Sequence, residues 1–193
     1  MRILCYTSLF LMSIFFGSCN KTDLYEQKAK SLDSLSGAVS SIAKELQSVD
    51  TITLQKSISR YTWYKQFIQQ NISDTVSKDE ADNLQQFYGS GKNLEDFSIN
   101  RKILLTRALL VNQQLEKLAH DIKNKALTTD QLVRFSLHET DEAAKLIATG
   151  YQQQKKFHIQ LEEFRNSLKG IEVLIRSRNK GELPTIIKDT ISF

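Results

Sequence analysis

The stretch "LQSVDTITLQ", Leu46 to Gln55, sets the number of helices in this chain. Upstream of its end, Leu32, Leu35, Val39, Ile42, Leu46 and Val49 step by three and four, a narrow apolar seam on one helix face. Projected further, the seam lands on Thr53 and Lys56. The apolar residues fall instead at Leu54, Ile58 and Tyr61, one position late. Val49, Thr51, Ile52 and Thr53 are β-branched and lose rotamer freedom in a helix, while Asp50 suits a helix cap. The spacing predicts a kink or a loop near residues 50–53. A loop would turn residues 24–49 and 53–72 into a hairpin and give a shorter bundle of four or five helices. A kink would leave three long helices, and the pattern favours four or more segments.

The same seam spacing recurs twice downstream. Leu104, Ala108, Val111, Leu115, Leu118 and Ile122 form one run, and Phe157, Leu161, Phe164, Leu168, Ile171 and Ile175 another. Both match coiled-coil-like packing. Seven glycines and one proline in 193 residues are too few for strands joined by tight turns. Ser77-Lys78-Asp79-Glu80 and Thr128-Thr129-Asp130-Gln131 each read as a capping box at a helix start. Gly89-Ser90-Gly91 is expected to interrupt the helix that Ser77 begins, and Gly181 with Pro184 to end the last one. The chain is therefore all-α: an elongated antiparallel bundle over residues 24–180, with stretches of about 24–72, 78–126 and 129–179 running up, down and up. The tail 181–193, "GELPTIIKDTISF", is either frayed or a short apolar segment that packs on the bundle or joins a partner's sheet edge.

The N-terminus is of another kind. Arg2 precedes an apolar run from Ile3 to Phe16, then Gly17 and Ser18, and Cys19 closes the run. Its length of about 14 residues is short of the roughly 20 that a membrane-spanning helix needs, so it reads as a signal peptide, residues 1–18. Phe16-Gly17-Ser18-Cys19 resembles the lipobox of bacterial lipoproteins, with Phe16 where that family most often has Leu. The resemblance covers residues 1–19 only. It implies cleavage between Ser18 and Cys19, a diacylglyceryl thioether on Cys19, and a further acyl chain such as palmitate on the new N-terminus. Residues 19–23 would then be the lipidated end and a short linker. Two or three acyl chains hold far more firmly than one. Asn20 after the lipidated Cys fits sorting to the outer membrane, so the resemblance places the chain in the cell envelope with the membrane as its first partner. Cys5 leaves with the leader, and no thiol remains for a disulfide.

Recognisable chemistry is sparse. The formal charge of +4 is spread among interspersed acids and bases, without the basic block that nucleic acid requires. His120, His138 and His158 belong to no His-Glu-x-x-His helix. His138 and Glu142 in "HETDE" share a helix face and would need ligands from a second helix to hold a metal. Gly-Ser-Gly-Lys, 89–92, lacks the spacing of a phosphate loop. The reading therefore assigns no catalytic residue, no metal and no cofactor. The most unusual composition is "RYTWYKQF", residues 60–67, with the only Trp. Arg60, Tyr61, Trp63, Tyr64 and Phe67 span more than one helix face. Tyr61 and Tyr64 could close the core while Trp63 half-buries, or the group could form an aromatic surface for a partner. The expectation is a non-enzymatic, lipid-anchored scaffold or adaptor for envelope proteins. The alternative is a ligand-binding or sensory bundle with a pocket lined by these rings.

Overall fold

A computed structural model describes residues 24–72 and 75–184. Among them four helices and no strands form a bundle: α1 (Leu24–Gln47), α2 (Thr51–Asn71), α3 (Lys78–Lys123) and α4 (Thr129–Arg178). The leader, Ser18 and Cys19, and the tail after Pro184 lie outside the described residues.

The interruption is a loop at Ser48 to Asp50, not a kink. Asp50 caps α2: its carboxylate accepts from the Thr53 backbone N–H at 2.9 Å and from the Thr53 hydroxyl at 2.6 Å. Arg101, reaching across from α3, satisfies the end of α1. Its Nε donates to the Leu46 carbonyl at 2.6 Å, and Nη2 to Gln47 at 3.4 Å.

The loop does not produce a hairpin. α1 and α2 make no packing contact with each other; each lies along α3 and α4 instead. Together they form one broken rod in constant register with α4. Ile42 sits against Gly150, and the Tyr64 hydroxyl donates to Glu172 at 3.1 Å, both pairs 108 residues apart. The bundle is therefore three rods of similar length rather than a shorter four- or five-helix array. α3 and α4, with 46 and 50 residues, are each about 70–75 Å long at 1.5 Å per residue.

Both predicted capping boxes are present, Ser77 with Glu80 and Thr128 with Gln131. Hydrogen bonds from the Ser77 backbone and side chain hold the Glu80 carboxyl below its usual range. The turn after α3 has Lys125 at φ 52°, with the Ala126 N–H donating to the Asp121 carbonyl at 2.9 Å. After α4, Gly181 takes φ 88° and its N–H reaches the Arg176 carbonyl at 2.9 Å.

The expected break at Gly89-Ser90-Gly91 does not occur, because α3 runs through it. Gly91 is there for space. A Cβ at that position would be driven into the buried ring of Tyr61 on α2. Ser90, beside it, exchanges a buried hydroxyl contact of 3.2 Å with Ser167 of α4. A tertiary contact thus outweighs the low helix propensity of two glycines.

The core has two halves that meet at the loop. Around α1 it is aliphatic, with Leu32, Ile42, Leu115, Ile122, Leu132 and Leu146 among its fully buried side chains. Around α2 it is aromatic, built on Tyr61, Tyr64, Phe87, Phe97, Phe157 and Phe164. Phe97 stacks on Phe157 at 4.5 Å between centroids, and Phe87 on Phe164 at 5.9 Å.

The two glycines of α3 separate propensity from packing. Gly91→Ala should lower stability by about 1–3 kcal/mol, as overpacking does. Nothing lies within 4 Å of a Cβ at exposed Gly89. Gly89→Ala should therefore raise stability by about 0.5–1 kcal/mol. Urea unfolding midpoints of the two variants should move in opposite directions.

Candidate functional site

Residues 60–67 sit on α2 and span two of its faces. Leu54, Tyr61, Tyr64 and Ile68 are buried. Arg60, Trp63 and Phe67, at i, i+3 and i+7, share the face that adjoins them, about 100° round the helix. Arg60 is exposed, and Trp63 and Phe67 are half-buried against the rim of the aromatic core. The two rings stack at 6.1 Å with 20° between planes. The aromatic residues are graded rather than divided: Tyr61 and Tyr64 are in the core, Trp63 and Phe67 pack on its rim with the Trp63 ring 5.5 Å from that of Tyr64, and Arg60 is exposed.

Tyr61 and Tyr64 are each only 3% exposed. The Tyr61 ring packs 5.3 Å from Phe87 and edge-on to Phe164 at 6.4 Å, while the Lys65 ammonium lies 5.5 Å from its centre. Burial pushes the Tyr61 hydroxyl above its ordinary pKa, helped by the charge of Glu95. For Tyr64 the value is pushed up to about 12, first by burial, then by the negative charge of Glu172 and the hydrogen bond to it.

Among the described residues Tyr61 and Tyr64 pack into the core with Phe87 and Phe164. Beside Tyr61 an open groove of about 510 Å³ runs between α2 and α3, bordered by Gln55, Lys65, Lys92, Glu95 and Asp96, and Trp63 and Tyr64 take no part in it. A second open groove, of about 750 Å³ between α3 and α4, is bordered by Asp82, Gln85, Gln86, Asn93, Glu163 and Asn166.

The pair in "HETDE" is drawn apart. The Glu142 carboxylate receives Arg107 of α3 at 3.1 Å and Lys145 at 3.6 Å, while His138 stands 3.3 Å from Glu139. Among the described residues no three His, Cys, Asp or Glu side chains gather as a metal would require.

Sequence reasoning missed two features. Ile99, Ile103 and Leu110 are exposed along one outer stripe of α3, and Val133 and Leu137 are exposed on α4. Each is a second apolar period, out of phase with the core seam of its own helix, and a search for a second period could have found it. The other is Arg101, whose role is set by a carbonyl brought in from another helix.

No protein-family model, curated protein or solved structure shows detectable similarity to this chain.

The Tyr64 environment predicts an alkaline limit to stability. A phenol whose folded pKa lies above its unfolded value of 10.0 contributes stability that is complete below pH 10 and is lost as pH rises towards about 12. The urea midpoint should therefore fall across that window. Tyr64→Phe should start from a lower midpoint at pH 8, having lost the Glu172 hydrogen bond, and should fall less steeply.

Proposed function

We propose that this protein is a lipid-anchored, non-enzymatic envelope scaffold that offers the Arg60–Trp63–Phe67 face of α2 to a protein partner. The observation that carries this reading is the gradation of burial across the aromatic cluster. Tyr61 and Tyr64 fill the core, while the Trp63–Phe67 stack covers only its rim and stays partly open to solvent beside exposed Arg60. Trp, Arg and aromatic side chains with an apolar body and limited rotamer freedom are the residues that dominate protein interfaces. The long helices give such a face a stiff support.

The anchor rests on Phe16-Gly17-Ser18-Cys19 and its resemblance to a lipobox. No helix among the described residues is long and apolar enough to cross a membrane. The sensory alternative needs an apolar pocket between helices. The filled aromatic core gives that reading less support, since the groove beside Tyr61 is open rather than enclosed.

Two measurements test the two halves of the proposal. An alkyne fatty acid fed to cells should label the protein, and Cys19→Ala should abolish the label; equal labelling of both would remove the anchor. A photo-crosslinking residue placed at Arg60 should give one discrete adduct in intact cells. Adding Trp63→Ala should reduce that adduct by about tenfold, the effect of a hot spot, while leaving helicity unchanged. An adduct indifferent to Trp63 would remove the partner face.

A further inference from the structure

Large apolar residues are exposed at one end of the bundle. That end is made by the start of α1 and the turn between α3 and α4. The Tyr25 hydroxyl donates to the Leu127 carbonyl at 3.3 Å, and Lys123 pairs with Asp33 at 2.8 Å, so the two parts are fastened together. Val133 and Leu137, one turn apart on the same face of α4, are 52% and 71% exposed. The register of 108 that joins the broken rod to α4 puts Leu24, itself 44% exposed, level with Leu132 and beside Val133. Three large apolar side chains are therefore exposed at this tip.

The chain outside the structure says what these side chains meet. Cys19 precedes Leu24 by five residues, a reach of at most about 17 Å even when extended. A tether that short holds this end, and no other, against the bilayer. Charge at the tip is balanced. Around the turn Lys117, Lys123, Lys125 and Arg134 are matched by Glu116, Asp121, Asp130 and Glu139, and on α1 Lys28 and Lys30 by Glu26 and Asp33. Exposed apolar side chains without an excess of acid can enter the lipid headgroup layer.

We infer that Leu24, Val133 and Leu137 seat this tip on the lipid surface, so that the rod meets the membrane end first. This rests on the anchored reading above, and its test supplies the tether independently. The chain from Cys19 onward is coupled through that thiol to a maleimide lipid, in vesicles one quarter phosphatidylglycerol and the rest phosphatidylethanolamine. Some acyl chains are brominated near the headgroup. Leu137→Trp adds a reporter at the tip. The native Trp63 lies level with position 171 in the same register, about 50 Å away along α4, and serves as the distant reporter.

The Leu137→Trp emission should shift to the blue and lose about half its intensity to the brominated lipid, with Trp63 unaffected. Adding Leu24→Asp and Val133→Asp should abolish the quenching. Quenching of neither reporter would mean the domain stands clear of the lipid, and quenching of both that the rod lies flat. Quenching that survives the two Asp substitutions would mean the tether alone brings the tip close. Each of these three results overturns the proposal. Loss of fatty-acid labelling in cells, by contrast, would remove only the natural anchor.

Discussion

The structure depends on a phase correction. Two apolar seams one residue out of step differ by about 100° around a helix axis, so an unbroken helix from 24 to 71 could bury one seam only by exposing the other. Three residues at Ser48–Asp50 absorb the mismatch. The loop exposes helix ends in the middle of a packed rod, where orphan carbonyls and N–H groups need partners. Arg101 provides for the carbonyls of Leu46 and Gln47, and Asp50 for the first turn of α2. Because both ends are satisfied in place, α2 continues the line of α1 rather than folding back on it.

That continuity fixes what the other two helices must be. Each has to run the whole length of the broken rod, and neither can bend at the loop without losing one half of the core. This is why α3 tolerates Gly89 and Gly91 in its interior: breaking there would expose Phe87, Leu94 and Phe97, which are buried on either side of the pair. Register is held by polar contacts that apolar seams alone would leave free to slide. Asn112 of α3 accepts from Ser36 of α1 at 2.6 Å in the aliphatic half. Ser90 meets Ser167 in the aromatic half, and Tyr64 meets Glu172 further on. A shift of one turn would strand each of these groups in a poorly solvated place.

Fold class was legible because it follows from local signals. Three-and-four spacing, capping boxes at Ser77 and Thr128, and scarce glycine and proline all act within a few residues of chain. The break at Asp50 was visible for the same reason. The direction in which the chain left that break was not, since it depends on Arg101, which lies 55 residues from Leu46. Glycine misled at residues 89–91 because its two physical properties, weak helix propensity and small size, predict opposite things, and only the position of the Tyr61 ring distinguishes them. Composition alone marked residues 60–67 as unusual. Helix spacing already offered the arrangement found, with Tyr61 and Tyr64 in the core and Trp63 half-buried; choosing it over a wholly exposed aromatic surface required knowing which face of α2 meets α3.

The two surfaces proposed here lie at opposite ends of one rigid object. In the register that sets Tyr64 against Glu172, Trp63 is level with residue 171 of α4, while Leu24 is level with residue 132. The separation along the axis is about 58 Å at 1.5 Å per residue. A chain of the same length folded as the shorter hairpin bundle would bring those surfaces to about half that distance. The phase correction at Ser48–Asp50 is therefore more than a local repair. By keeping α2 in line with α1, it places the Arg60–Trp63–Phe67 face at the end of the rod opposite the start of α1.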